Sequence, residues 1–129
     1  MKLLGIGIDL AEIDRIKSIL GSNIRDRFLK RLFSDKERAI FDSKPCPEQT
    51  IAAHFAAKEA LAKAVGTGFA GITPVEISVL RNAAGKPYIE LSGKAAQKYR
   101  DIEFEVSLTH TATTAGAVVA AVIKEEDCR

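Results

Sequence analysis

The chain has 129 residues, 47% of them hydrophobic, enough for one domain with a modest core and too few for a second full one. A formal net charge of +2 is far from that of a typical nucleic-acid protein, and no apolar run reaches the roughly 20 residues of a membrane span. One domain over residues 1–129 is therefore expected, with neither nucleic acid nor membrane as partner.

The first letters, MKLLGIGIDL, start like a signal peptide, but Asp9 breaks the apolar run and no small-residue cleavage site follows, so a cytoplasmic protein is expected. LLGIGID predicts a strand in which Ile6 and Ile8 alternate with Gly5, Gly7 and Asp9. One face thus has almost no side chain until a carboxylate appears at its end. Glycine weakens a strand and is kept where a ligand or another backbone comes close. Both readings stand: a ligand-binding face ending in Asp9, or tight packing on a helix with Asp9 as a helix cap.

Helical patterns follow at about 12–20 and 24–32. They carry Arg15, Arg25, Arg27, Lys30 and Arg31, a basic segment that is either a solvated face or a landing patch for an acidic partner. Ser34, three residues before Glu37, has capping-box spacing and predicts a helix to about Ser43. Cys46 and Cys128 are lone thiols without zinc or disulfide spacing.

Pro45 and Pro47 punctuate a turn before a long helix predicted over 47–65 and ended by Gly66. At about 100° per residue, His54 and Lys58 fall on the same side as Ile51, Leu61 and Val65. That side is unusual for lysine, which is rarely buried unpaired. Glu59 and Lys63, at i and i+4, fit a surface ion pair worth a few tenths of a kcal/mol, about 0.2–0.5. The alanines at 52, 53, 56, 57, 60, 62 and 64 let the helix approach neighbours closely, so carboxylates on it and on the glycine-faced strand could meet across a narrow cleft. The second half reads as strands PVEISVLR and PYIELS around a turn at NAAGKP, a short helix GKAAQKY, and strands FEVSLTH and TAGAVVAAVI. The expectation is an α+β domain with an antiparallel sheet and a long central helix.

GIGIDLAEIDRI, FAAKEALAKAVGTG, GKPYIELS and SLTHT, in this order over nearly the whole chain, resemble the bacterial holo-acyl-carrier-protein synthases, a family of phosphopantetheinyl transferases. The resemblance implies the 4'-phosphopantetheinyl transferase fold and Mg²⁺-dependent transfer of phosphopantetheine from coenzyme A to a serine of apo-acyl carrier protein. Adenosine 3',5'-bisphosphate would be released. By similarity Asp9 and Glu59 bind Mg²⁺, and Lys63 stands by the pyrophosphate. Two carboxylates suit Mg²⁺, which keeps waters and takes substrate phosphates as further ligands. Coenzyme A contacts are expected at Lys58, Gly66, Gly68, Gly85, Lys86, Pro87, Ser107, Thr109 and His110. Lys58 has a second reading, a pair with a buried acid that positions the helix.

Asp9, Glu59 or a metal-bound water could accept the serine proton. Many relatives carry arginine where this chain has His54, and several an acid in place of Thr111; both departures bear on phosphate contacts. The family docks its small acidic carrier on the first helices, which makes Arg15, Arg25, Arg27 and Arg31 candidate electrostatic contacts and Phe28 a candidate apolar anchor, although core packing explains Phe28 equally simply. Relatives assemble as homotrimers with sites at the subunit interfaces, and TAGAVVAAVI is a candidate interface element. A Mg²⁺-dependent phosphohydrolase or a non-catalytic module for acidic proteins are the alternatives.

Overall fold

The computed structural model describes residues 2–125; Cys128 lies outside them. Strand β1 (Lys2–Glu12) is followed by helices α1 (Ile13–Leu20), α2 (Arg25–Leu32), α3 (Asp35–Asp42) and α4 (Glu48–Val65). A single 3-10 turn, Pro74–Glu76, leads into β2 (Ile77–Arg81) and β3 (Pro87–Leu91), then α5 (Gly93–Lys98), β4 (Ile102–His110) and β5 (Thr114–Ile123). The α+β expectation holds, with two antiparallel sheets: β1-β5-β4, and the hairpin β2-β3. Among the described residues no helix is long and apolar enough to cross a membrane.

Helix boundaries follow local chemistry. Ser34 and Glu37 form the predicted capping box, with Glu37 N–H donating to Ser34 Oγ at 3.3 Å and Ser34 N–H to Glu37 Oε1 at 3.1 Å. Helix α4 ends where Gly66 turns left-handed at φ 78°, a conformation that favours glycine.

The glycine face of β1 packs on α4. A Cβ on Gly5 would overlap the carbonyl oxygen of Ala64, and one on Gly7 that of Ala60. The close approach read from the sequence is therefore to helix backbone. Alanines let this happen, because Ala56, Ala57, Ala60 and Ala64 are buried without holding the strand away. Strand β5, the middle of the sheet, buries Ala115, Ala117, Val119 and Ala121.

The opposite face of β1 is apolar and open. Ile6, Ile8 and Leu10 keep 60%, 66% and 69% of their surface exposed, with Val118 of β5 beside them at 37%. Most of β5 is core, and the open apolar surface belongs chiefly to β1. Hydrophobicity alone would turn the isoleucines inward; the helix backbone takes the glycine side instead, because only that side admits it.

Candidate functional site

The packing of β1 on α4 brings together residues far apart in sequence. Lys63 Nζ donates to Asp9 Oδ1 at 2.9 Å and to the Ile8 carbonyl at 3.1 Å. The ion partner of Lys63 is thus Asp9 across the strand–helix contact, where helical spacing alone points to Glu59. Glu59 stands half-buried in the same electrostatic cluster. Burial pushes its carboxyl above the ordinary range, the negative charge of Asp9 pushes it further, and Lys63 opposes both. Two mutually repelling carboxylates and one ammonium group share this edge, an arrangement suited to a divalent cation and a phosphate. Among the described residues no cluster of three or more His, Cys, Asp or Glu could hold a metal by itself. Two carboxylates suffice for Mg²⁺ when phosphate and water complete its shell.

Lys58 lies elsewhere. Its Nζ is buried and donates to Glu37 Oε1 at 2.6 Å, to the Pro74 carbonyl at 3.0 Å and to the Ile77 carbonyl. An ammonium group has three N–H donors, and all three are used. The expected contact of Lys58 with coenzyme A is corrected accordingly: it pairs with a buried acid and ties α4 to α3 and β2. Glu37 also binds His54, whose Nδ1 lies 2.8 Å from Glu37 Oε2. Burial alone would raise the Glu37 carboxyl, but the His54 hydrogen bond and the charge of Lys58 outweigh it and hold it below the ordinary range.

A cavity of about 510 Å³ opens between α4 and the end of β4, and Lys44, His54, Arg81 and His110 are the ionisable side chains lining it. No carboxylate lines it, so its field favours anions. His110 and Thr109 belong to this wall. Ser107 is not among its lining residues; it is exposed and pairs with Val118 of β5. Gly66 and Gly68 follow α4 with φ 78° and 60°, and a Cβ on either would meet open space. Gly85, Lys86 and Pro87 form the β2–β3 turn, where Lys86 Nζ pairs with Glu105 at 3.2 Å. Among the described residues no hydrogen bond or ion pair joins that turn or Ser107 to Asp9 or Glu59. Lys44 and Arg81 give no signal in the sequence, because isolated cations become a site only when folding brings them to one wall.

Arg15, Arg25, Arg27 and Arg31 are exposed on α1 and α2. Phe28 is half-buried, stacked on Phe55 with ring centres 6.4 Å apart and edge-on to Phe33 at 5.8 Å, which is core packing. Its ring still lines an apolar recess with Leu10, Arg15, Ile16, Ile19 and Phe55.

Comparison with known proteins is consistent along the chain. A family model described as the 4'-phosphopantetheinyl transferase superfamily matches residues 5–122. A holo-acyl-carrier-protein synthase of Clostridium tetani is 40% identical, the match covering 98% of each chain. Among solved structures, the holo-acyl-carrier-protein synthase of Neisseria meningitidis superposes with a TM-score of 0.83 at 30% identity, covering 92% of this chain and 98% of that one. The Bacillus anthracis synthase, solved in complex with CoA (3',5'-ADP), has a TM-score of 0.80 at 30% identity, covering 96% and 100%. The chain belongs to the 4'-phosphopantetheinyl transferase superfamily, among the holo-acyl-carrier-protein synthases.

Proposed function

We propose that this enzyme transfers the 4'-phosphopantetheine group of coenzyme A to a serine of an apo-acyl carrier protein, with residues 1–129 acting as a single transferase domain. The observation that carries the reading is the meeting of Asp9, Lys63 and Glu59 where β1 packs on α4. The names of the relatives and the CoA complex of the Bacillus anthracis structure support the substrates.

In the transfer the serine oxygen gives up its proton, to Asp9, Glu59 or a water beside them, and attacks the phosphorus that carries the pantetheine. The bond from that phosphorus to the bridging oxygen breaks, and adenosine 3',5'-bisphosphate leaves with the electron pair. Asp9 and Glu59 would hold Mg²⁺, which when bound neutralises the pyrophosphate and the charge that grows on the leaving phosphate. Burial first and the Asp9 charge second raise the Glu59 carboxyl, and a divalent cation would relieve the second of these, the repulsion between the two carboxylates. Lys63, anchored on Asp9, adds a fixed positive charge beside the pyrophosphate.

The cavity lined by His110 and Thr109 is a candidate seat for the nucleotide phosphate of coenzyme A, and Gly66 and Gly68, at the other end of α4, would leave backbone open to another part of the ligand. Gly85, Lys86, Pro87 and Ser107 make no hydrogen bond or ion pair with Asp9 and would reach coenzyme A from a neighbour. The open apolar face of β1 supports that assembly: a homotrimer in which one subunit supplies Asp9 and Glu59 and the next supplies part of the nucleotide pocket. Arg15, Arg25, Arg27 and Arg31 would steer the acidic carrier, and the recess beside Phe28 would take an apolar side chain from it.

The test is the intact mass of an apo-carrier protein after incubation with coenzyme A, Mg²⁺ and this enzyme. A gain of one phosphopantetheine is expected. Breakdown of coenzyme A with no gain on any carrier would favour a phosphohydrolase instead.

A further inference from the structure

Glu37 does not line the cavity beside His110, yet its carboxylate organises that cavity. Its Oε1 takes Lys58 at 2.6 Å and the Ser34 N–H at 3.1 Å, and its Oε2 faces His54 Nδ1 at 2.8 Å. The three side chains are 0%, 3% and 2% exposed for Glu37, His54 and Lys58, so this contact is shielded from water. A carboxylate cannot donate, so the proton of this hydrogen bond sits on His54 Nδ1. That leaves Nε2, which has no partner among the described residues, while the ring itself lines the cavity with Lys44, Arg81 and His110. The ring is held from the other side by Phe41, edge-on with centres 5.0 Å apart.

The state of Nε2 then decides what the cavity can bind. Unprotonated, it offers a lone pair, which repels the oxygens of a phosphate. Protonated, it becomes a donor, and the imidazolium is balanced by the entering anion. The charged or titratable groups around it are Glu37 from α3, Lys44 just after α3, Lys58 on α4, Arg81 from β2 and His110 from β4. Lys58 already neutralises Glu37, so the added positive charge has to be answered from the cavity.

We propose that Glu37 is a positioning residue acting through His54: it fixes the imidazole with Nδ1–H on its carboxylate and Nε2 toward the cavity, so that an oxyanion, for coenzyme A its 3'-phosphate, is bound together with a proton. This rests on coenzyme A being the substrate. It makes His54 a determinant of affinity for the phosphomonoester, and Glu37 the residue that aims it.

Two measurements test it on the intact protein. Because the chain has two histidines, His54 and His110, ¹⁵N spectra of the imidazoles read the tautomer directly. The neutral Nδ1–H form is expected for His54, and the Nε2–H form would overturn the assignment. Calorimetric titration of coenzyme A near neutral pH, in buffers of different ionisation enthalpy, counts protons taken up. Wild type is expected to take up a measurable fraction of a proton with coenzyme A and less with dephospho-coenzyme A. His54→Gln is expected to lose that fraction and to bind coenzyme A about tenfold more weakly, the loss of one charge-assisted hydrogen bond. His110→Gln separates the second imidazole and is expected to retain the His54 share. Uptake unchanged in His54→Gln, or abolished by His110→Gln alone, overturns the proposal. Failure of coenzyme A to bind wild type at all would instead overturn the substrate reading and the inference with it.

Discussion

Gly7 lies against the carbonyl oxygen of Ala60 so closely that a methyl group on Gly7 would overlap the oxygen. This contact seats β1 on α4 and so keeps Asp9 at 2.9 Å from Lys63. Gly7→Ala should push the strand off the helix. The expected outcome is a loss of about 1–3 kcal/mol or more in urea unfolding, with loss of turnover in the protein that remains folded. Parental stability and activity would mean that strand and helix have room to spare.

The buried Glu37 predicts a pH dependence of stability. Its carboxyl is held below the ordinary value of 4.5, because the His54 hydrogen bond and the Lys58 charge outweigh the cost of burial. The folded pKa therefore lies below the unfolded one, so the stabilisation is complete above about pH 4.5 and disappears as pH falls through the folded value. Glu37→Gln removes this acid limb. It also leaves the Lys58 charge buried and unpaired, a cost of about 3–5 kcal/mol at neutral pH. Urea midpoints from pH 7 down to 3 check both effects, and equal acid slopes in the two proteins would contradict the role of Glu37.

Arg15, Arg27 and Arg31 are exposed on α1 and α2, on the elements before α4. Reversing their charge should raise the KM for the carrier through slower association, with little change in coenzyme A affinity. Added salt should raise the wild-type KM, since charges are screened over about 8 Å at physiological ionic strength. The variants should depend less on salt. Steady-state kinetics at two salt concentrations read the result, and an unchanged carrier KM in all three variants would mean a merely solvated face.

The outer face of β1 predicts assembly. Ile8, 66% exposed between Ile6 and Leu10, is expected to be covered in a homotrimer. Light scattering should give three times the chain mass for wild type. Ile8→Asp should lower that mass and, on the proposed assembly in which a neighbour supplies part of the pocket, reduce coenzyme A binding. An active wild-type monomer would contradict the trimer.

Much of this was legible in the sequence because several signals are local. The capping box at Ser34 and Glu37, the stop at Gly66 and the alternation of Gly5, Gly7 and Asp9 depend on neighbours a few residues away. What was hidden depends on chain closure. Capping explains Glu37 so fully that its second role, binding His54 and Lys58 from 17 and 21 residues away, leaves no further trace in the letters. Lys63 has a good helical partner in Glu59, and only the seating of β1 supplies the better one, Asp9. Lys44 and Arg81 become one wall only after β2 comes beside the segment between α3 and α4.

Transfer that depends on Glu59 is measured most directly by intact mass spectrometry of an apo-acyl carrier protein incubated with coenzyme A and Mg²⁺, with wild-type enzyme and with Glu59→Ala run side by side. Glu59 is half-buried at the cleft edge, so its truncation opens no core cavity and the variant should melt close to wild type. The expected result is a carrier heavier by one phosphopantetheine with wild type and a severe loss of rate with folded Glu59→Ala. Asp9→Ala should behave alike, and Lys63→Ala should lose less. Undiminished transfer by Glu59→Ala at limiting Mg²⁺, or no mass gain with wild type on any carrier tested, would contradict it.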